Sequence, residues 1–463
     1  MRFSFMLVRS MLVQSTLVRS MKPKLLWLSA IALACVVGVS ASSLLGWSLL
    51  GRSPGLLTSE GSSGRLSLNP PTSPVPAEFF GLHIHRAFST TPWPPVPFGS
   101  WRLWDAKVHW PQVEIEKNRY DWHILDREVD LAEKHHVDLV MTFGFTPDWA
   151  SAGPVEAPMG RFRPGHRARG EVVGDIADLE DWRNYIRTQA LRYKGRILYY
   201  EIWNEPNLPE NRIIGTPERM LTLAKEAYLT LKQVDPNIKV ISPSPVNPNG
   251  IDWLDRYLEL GGGQYADIIG YHFYVRKRPE TMLKMILPVK DVMRKYGVSD
   301  KPLWNTESGW IRNPLTDPID PVLQAPGWAA RAYILNWAAG VQRFYWYAWD
   351  DDGGDSIPFT EEDEATTTVS AHAYAEVQKW LIGARMDSCE RDDSGSWVCK
   401  VTRESSGPAW ILWNEDHSSK FDVPKSWQIQ TCAKLSGERA ACGASPVDVG
   451  EIPIMLEGPS TQH

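Results

Sequence analysis

Short runs of apolar and aromatic residues recur along the chain between residues 79 and 351, and most are separated by stretches with the periodicity of an amphipathic helix. Alternation of such runs with helical stretches indicates parallel strands joined by helical crossovers. Eight units favour a closed (β/α)8 TIM barrel over an open sheet. The eight runs are FFGLHIHR (79–86), SWRLWD (100–105), DLVMTFGFT (138–146), RILYYEIWNEP (196–206), KVISPSP (239–245), DIIGYHFYV (267–275), KPLWNTESGW (301–310) and RFYWYAWDD (343–351).

The pattern changes at two places. Residues 87–98, AFSTTPWPPVPF, contain too many prolines for a helix, so the first crossover is predicted to be a loop. Beyond residue 384 the helical periodicity gives way to short strands such as WVCKVTR (397–403) and AWILWNE (409–415). We therefore expect a catalytic barrel over residues 78–384 and a small C-terminal β-sandwich domain over 385–463.

The N-terminal region has the pattern of a membrane segment. Residues 25–50 carry no charge and five cationic residues precede them, so the positive-inside rule predicts a cytoplasmic N-terminus and export of everything beyond Arg52. An uncleaved anchor, a signal peptide cut after Ala41 and a lipid-modified Cys35 are the alternatives, and the anchor is favoured because apolar sequence continues past residue 41. Residues 1–52 are excluded from the fold, and residues 53–77, rich in Gly, Ser and Pro, are expected to be a linker. The barrel is thus placed in the cell envelope, in the periplasm or outside the cell.

Cysteine usage agrees with export. Cys389 and Cys399, and likewise Cys432 and Cys442, each flank a turn-rich segment, so local disulfide pairing is predicted. Crossed pairings and free buried thiols are the alternatives.

Charge and composition exclude some partners. The formal net charge is −6, and no basic surface for nucleic acid is indicated. Membrane contact is expected only through the N-terminal segment, and the chain is expected to be a monomer.

Polar side chains at the ends of the predicted strands carry the candidate chemistry. Active sites of such barrels lie at the carboxyl ends of the strands. Glu205 ends the fourth strand and Glu307 lies on the seventh, across the barrel. A buried carboxylate without a partner costs several kcal/mol, so each of the two needs either a partner such as arginine or a task. Glycoside hydrolysis is a task that requires two facing carboxyl groups.

The motifs WNEPN (203–207) and NTESGW (305–310) resemble the acid/base and nucleophile motifs of the clan A retaining glycoside hydrolases. Within that clan, YYEIWNEPN (199–207), GYHFY (270–274) and the appended β-domain are similar to family 39, which includes β-xylosidases and exopolysaccharide endoglycosidases. The resemblance implies a (β/α)8 barrel that cleaves β-linked oligo- or polysaccharides through a covalent glycosyl-enzyme, with a carbohydrate substrate, no cofactor and no metal.

The resemblance also implies roles for single residues. Glu205 matches the acid/base and Glu307 the nucleophile, while Asn204 would bind the sugar 2-hydroxyl. Arg102 matches the arginine that keeps the nucleophile ionised, since a nearby cation lowers the pKa of a carboxyl group. Both Asn204 and Glu205 can face the substrate only if the end of the strand is distorted.

Further residues are expected to bind the sugar or to support the site. Tyr274 would hydrogen-bond to Glu307, and His272 would contact the sugar or Glu205. Glu201 is expected to be structural and paired with a core arginine. Tryptophan faces suit pyranose rings, and the remaining predicted substrate-binding residues are Trp149 and Trp349, as floor or wall of the −1 subsite, together with Trp310 and His85.

Two other functions are compatible with parts of the pattern. His83, His85, His272 and Asp350 resemble the ligands of metal-dependent amidohydrolases, but the predicted fifth strand lacks a histidine and the fourth a lysine. The barrel could also be a sugar-binding protein without catalysis, although retention of both glutamates, Asn204 and Arg102 argues against this. The acidic loop 350–355 is either a solvated loop or a Ca²⁺ ligand set. Sugar identity, linkage and exo or endo action stay open.

Overall fold

A computed structural model describes residues 64–153, 174–211, 213–310, 319–350, 357–404, 406–442 and 445–459. The predicted membrane segment, residues 53–63 of the predicted linker and the acidic loop beyond Asp350 lie outside these residues. Within them, no helix is both long and apolar enough to span a bilayer. The strands are β1 (Leu66–Leu68), β2 (Phe80–Leu82), β3 (Ser100–Leu103), β4 (Glu114–Glu116), β5 (Arg119–Tyr120), β6 (Asp138–Thr142), β7 (Tyr199–Glu201), β8 (Lys239–Ile241), β9 (Ile269–His272), β10 (Leu303–Ser308), β11 (Val341–Trp346), β12 (Arg385–Arg391), β13 (Ser396–Arg403), β14 (Gly407–Asn414), β15 (Ser419–Phe421), β16 (Thr431–Lys434), β17 (Arg439–Ala441), β18 (Val447–Val449) and β19 (Ile454–Glu457). The α-helices are α1 (Trp110–Val113), α2 (His123–His135), α3 (Leu179–Arg192), α4 (Pro217–Val234), α5 (Asn249–Glu259), α6 (Leu283–Lys295), α7 (Ala325–Ala338) and α8 (Val369–Leu381).

Eight parallel strands form a nearly closed barrel in the order β8-β7-β6-β3-β2-β11-β10-β9. The two ends of this order meet through isolated parallel bridges, Ile241 with Ile268 and Val246 with His272. Seven of these strands lie within predicted runs, and β11 begins two residues before its run, so the predicted barrel is confirmed. As expected, residues 87–98, between β2 and β3, contain no helix.

The helices pack around the barrel with their apolar faces inward. Helix α7 differs because apolar residues predominate on every side of it, and nearly all of its residues, including Arg331, are buried. A helix with no polar face must be covered on both sides. One side faces the barrel, and the other meets the C-terminal region, where Gly327 approaches Ile452 so closely that a Cβ atom on the glycine would lie 2.7 Å from it.

The C-terminal region is a seven-stranded antiparallel sheet, β1-β12-β13-β14-β19-β16-β17, with a two-stranded ribbon, β15-β18. The large sheet takes in Leu66–Leu68, which lies within the predicted linker and pairs with β12. Its alternating Leu-Ser-Leu sequence suits an edge strand, but its partner lies far along the chain. Disulfides join Cys389 to Cys399 and Cys432 to Cys442, so the predicted local pairing is confirmed.

A buried ionic contact links this sheet to the barrel. The Glu280 side chain follows β9 and accepts hydrogen bonds from Arg331 Nε on α7 and from Trp413 Nε1 on β14, both at 2.9 Å. Arg331 also donates to the Glu451 carbonyl at 3.2 Å. The segment after β9 is therefore held from both the barrel and the sheet.

Candidate active site

The end of β7 is distorted where it enters the mouth of the barrel. The regular strand stops at Glu201, and Glu205 has φ of +48°, a region that residues other than glycine seldom adopt. Hydrogen bonds hold this conformation: the Glu205 amide donates to the Ser244 carbonyl, and Asn211 Nδ2 donates to the Glu205 carbonyl, both at 2.9 Å. As a result Asn204 and Glu205, although adjacent, both reach groups inside the barrel.

Glu205 and Glu307 lie close together. One carboxylate oxygen of each and a ring nitrogen of His272 all lie within 4.8 Å of one another. Retaining glycosidases hold their two carboxyl groups about 5–5.5 Å apart, whereas inverting enzymes need a wider gap for a water molecule. The spacing in this chain fits direct attack by one of the two carboxylates.

Arg102 on β3 is fully buried and connects the polar groups below the pair. Its Nη1 donates to Glu307 Oε2 at 2.8 Å, and its Nη2 donates to Asn204 Oδ1 at 2.7 Å. Its Nε donates to Glu201 Oε2 at 2.6 Å. The core arginine expected as the partner of Glu201 is therefore the same residue that contacts the predicted nucleophile.

Glu307 has two hydrogen-bond donors but a raised pKa. Arg102 and the Tyr274 hydroxyl, the latter at 2.9 Å, donate to different oxygens of its carboxylate. Burial raises the pKa of Glu307 to about 7; His272 and Arg102 oppose this shift, and Glu205 adds to it. Arg102 thus lies where the sequence analysis expected, but its charge does not outweigh burial in the free protein.

His272 contacts Glu205 and is neutral. Its Nδ1 lies 2.9 Å from Glu205 Oε1, and burial lowers its pKa to about 4. The buried Nε2 has no hydrogen-bond partner among the described residues. A neutral imidazole accepts at one ring nitrogen and donates at the other, so His272 Nδ1 can accept a hydrogen bond from Glu205 whenever that carboxyl group carries a proton.

Comparison with known proteins agrees with this geometry. Residues 180–372, which include both glutamates, Asn204, His272 and Tyr274, match the family model described as glycosyl hydrolase catalytic core. The matched segment is similar to a glycosyl hydrolase catalytic core and makes up less than half of the chain. A β-xylosidase from Geobacillus stearothermophilus is 23% identical over 243 residues, which is 46% of this chain and 46% of the relative. The chain therefore matches less than half the length of that curated relative.

Solved structures share the fold of the hydrolase core. A family 39 glycoside hydrolase from the gut symbiont Bacteroides cellulosilyticus WH2 superposes with a TM-score of 0.65 at 18% identity, covering 83% of this chain and 81% of the other. A monomeric β-xylosidase from Caulobacter crescentus CB15 superposes with a TM-score of 0.57 at 15% identity, covering 85% and 98%. A xyloglucanase of family 44 from Paenibacillus polymyxa is also similar, with a TM-score of 0.53 at 11% identity and coverage of 84% and 97%.

The predicted tryptophans do not form the wall of the hydrolase site. Trp310 and Trp349 are fully buried. The Trp310 ring packs on Trp328 and Trp346, and Trp349 packs on Phe359. Their burial among other aromatic rings differs from the prediction, because Trp310 follows the end of β10 and Trp349 the end of β11, where strand alternation no longer sets the direction of a side chain.

Trp149 is half-buried and placed by its neighbours. Its Nε1 donates to the Glu114 carbonyl at 3.1 Å, and its ring meets Trp110 edge to face. These contacts of Trp149 are with residues other than Glu205 and Glu307.

Tyr347, which follows β11, is the aromatic residue that faces the site, and it was not among the predicted site residues. Its ring packs on His83 and His85 at centroid distances of 5.1 and 4.9 Å, and its hydroxyl donates to Asp105 at 2.8 Å. Burial, Glu307 and Tyr347 together raise the pKa of Tyr274, which places Tyr347 beside the partner of Glu307. A signal was available, since Tyr347 directly follows the last residue of β11.

His83 and His85, which follow β2, are not grouped with Asp350 at metal-ligand spacing in the described part of the chain. The Asp350 carboxylate accepts from the backbone amides of His85 and Arg86 at 2.8 Å and from Thr91 Oγ1 at 2.7 Å. Among the described residues, the group with the spacing of metal ligands is Glu205, His272 and Glu307. Arg102 bonded to Glu307 makes that group a poor cation site, because it adds a positive charge next to the position of the ion.

Proposed function

We propose that the protein is a retaining β-glycoside hydrolase that cleaves a β-linked oligo- or polysaccharide by double displacement. The observation that carries the proposal is the pair Glu205 and Glu307, which is close enough for direct attack and whose two members differ in their hydrogen-bond donors. The match of residues 180–372 to the glycosyl hydrolase core supports the same reaction class.

In the first step, Glu307 attacks the anomeric carbon while Glu205 gives its proton to the departing glycosidic oxygen. The products of this step are the free leaving group and a glycosyl ester on Glu307. In the second step Glu205, now ionised, takes a proton from water, whose oxygen attacks the anomeric carbon and releases Glu307. Two inversions give net retention.

Asn204 is proposed to bind the 2-hydroxyl of the sugar. Its Oδ1 accepts from Arg102 Nη2, so its amide Nδ2 is the atom left to face the substrate. A hydrogen bond that strengthens as the oxocarbenium-like transition state forms accelerates the reaction rather than merely binding the substrate.

The test is a panel of aryl β-glycosides and envelope polysaccharides, beginning with β-xylosides, incubated with a fragment of residues 53–463. Proton NMR of the first product formed is expected to show the β-anomer, followed by slow mutarotation. An α-anomer as first product, or no hydrolysis of any glycoside in the panel, would contradict the proposal. Activity that survives EDTA would exclude the metal-dependent alternative, and activity lost with EDTA and restored by Zn²⁺ would support it.

We further propose that the catalytic region is exported to the cell envelope and held there as a monomer by the N-terminal segment. The uncharged residues 25–50 and the two disulfides support export, and the structural relative from Caulobacter crescentus is described as monomeric. The full chain should stay with membranes after a salt wash, while a fragment beginning at Ser53 is released. A soluble native protein that begins at Ser42 would instead show a cleaved signal peptide.

A further inference from the structure

A third carboxylate lies directly below the catalytic pair. Glu201 is fully buried and carries four short contacts. Its Oε1 accepts from Ser244 Oγ at 2.5 Å, and its Oε2 accepts from Thr142 Oγ1 at 2.7 Å and from Arg102 Nε at 2.6 Å. Arg102 Nη2 lies 2.5 Å from the same oxygen. A carboxylate with so many donors stays ionised.

The contacts of Glu201 fix the orientation of Arg102. A guanidinium group is planar, and its five N–H bonds point in fixed directions. Once Glu201 engages the Nε edge, Nη1 is directed to Glu307 and the remaining N–H of Nη2 to Asn204. The same arginine therefore reaches the nucleophile and the predicted 2-hydroxyl ligand at once.

We propose that Glu201 is a positioning residue, which orients Arg102 toward Glu307 and Asn204 and shares the arginine's positive charge with Glu307. The inference rests on the proposed function and deepens it. In the mechanism only Glu205 and Glu307 react. Glu201 acts through Arg102, because its contacts with the guanidinium group determine how strongly the arginine's charge acts on Glu307.

Charge sharing explains why Glu307 keeps a raised pKa beside an arginine. Burial is the largest cause of this shift, and the opposing effect of Arg102, 2.8 Å away, ranks below the effects of His272 and Glu205. Burial also acts on Glu201, but Arg102 and His272 outweigh it and lower the pKa of that carboxyl. The charged or titratable groups around the three carboxylates are Arg102 on β3, Asp105 after β3, His83 after β2, Tyr347 after β11, His272 at the end of β9 and Tyr274 after it.

The experiment replaces Glu201 by glutamine, which keeps the shape and removes the charge. For the aryl β-glycoside that the wild type hydrolyses fastest, Glu201→Gln should lower kcat/KM about 10-fold, because Arg102 is held less firmly. The acidic limb of the kcat/KM profile should move to lower pH by about one unit, since Arg102 is left to Glu307 alone. Glu128→Gln is the matched control: Glu128 is also fully buried, on α2, and should leave this profile unchanged.

A second pair of variants separates orientation from charge and keeps the inference testable if Glu201→Gln does not fold. Glu201→Asp retains the charge but is one methylene shorter, so it should lower kcat/KM without moving the acidic limb downward. Arg102→Lys removes the residue through which Glu201 acts, so Glu201→Gln should have little further effect in that background. A Glu201→Gln profile that superimposes on the wild type, or additive losses in the double variant, would overturn the inference.

A readout that does not need hydrolysis distinguishes this inference from the proposed function. Infrared titration in a Glu128→Gln background, which removes the other buried carboxyl group of raised pKa, should show a protonated carboxyl band that disappears with rising pH and is absent when Glu307→Gln is added. In Glu201→Gln the midpoint should fall, whether or not any glycoside is cleaved. An unmoved midpoint contradicts the role of Glu201, whereas a moved midpoint with no hydrolysis contradicts only the proposed function.

Discussion

Arg102 Nη1 lies 2.8 Å from Glu307 Oε2, yet the pKa of Glu307 is raised to about 7. A cation at hydrogen-bond distance ordinarily lowers the pKa of a carboxyl group. In this chain the arginine also bonds to Glu201, and both carboxylates are removed from water. The free protein therefore holds a proton near its nucleophile until the pH approaches neutrality.

The pH dependence of catalysis follows from that value. Glu307 must be ionised to attack, so kcat/KM should fall as the pH drops through about 7, the pKa of this group. The expected acidic limb has unit slope and is measured with an activated aryl glycoside, which scarcely needs a proton from Glu205. An acidic limb near the ordinary pKa of a glutamic acid would show that burial in the free protein does not set the pKa of Glu307.

Removal of the nucleophile should abolish turnover. Glu307→Gly leaves space beside the anomeric carbon, so added azide should restore a reaction and give the glycosyl azide of inverted, α configuration. The product is identified by NMR, with Glu128→Gln as a control that should keep wild-type activity. A β-azide from this variant would show that Glu307 is not the nucleophile.

Removal of the acid/base should affect substrates unequally. Glu205→Ala should slow substrates with poor leaving groups far more than activated aryl glycosides, because the former require protonation in the transition state. The variant should accumulate glycosyl-enzyme on Glu307, visible by mass spectrometry, and azide should now yield the β product. Equal losses for all leaving groups would contradict this role.

Glu128 should make the stability of the protein depend on pH. It is fully buried, and burial raises its pKa to about 8 from 4.5. Between these values the unfolded chain has released a proton that the folded chain keeps, so the free energy of unfolding should fall with rising pH, by about 1.4 kcal/mol per unit from this group.

Denaturant unfolding at pH 5 and pH 8 tests this, with Glu128→Gln as the comparison. The variant lacks the titrating group, so its free energy of unfolding should decrease less between the two pH values than that of the wild type. Parallel curves for the two proteins would show that Glu128 is already ionised when folded.

The strands of the barrel could be predicted from the sequence, because they depend on the local pattern of apolar residues. The orientation of side chains beyond the strand ends could not, because it depends on the path of the backbone. All eight barrel strands coincide with apolar runs, since a strand buried on both faces reads as a continuous apolar segment. The roles of Trp349 and Tyr347 differ because the backbone leaves the strand after Trp346, and alternation no longer decides which ring faces the mouth. Strand β1 was not predicted, because the sequence of residues 66–68 contains no signal that they pair with β12.

The site shows the same limit. Arg102 was expected beside Glu307, and Glu201 was expected beside an arginine. Sequence spacing alone could not show that one guanidinium serves both carboxylates, because that requires three strands to converge on a single point in the barrel.

The contact of Glu280 with Arg331 and Trp413 has a consequence for how the chain unfolds. Loss of β14 would remove the Trp413 indole from a buried carboxylate, and loss of the barrel would leave Trp413 without its acceptor. Strand β1 adds a second tie, because it precedes the barrel in sequence but is stabilised by β12. In the intact protein, the barrel and the C-terminal sheet should therefore melt in one calorimetric transition. In a protein cut after residue 384, the barrel itself should unfold less cooperatively.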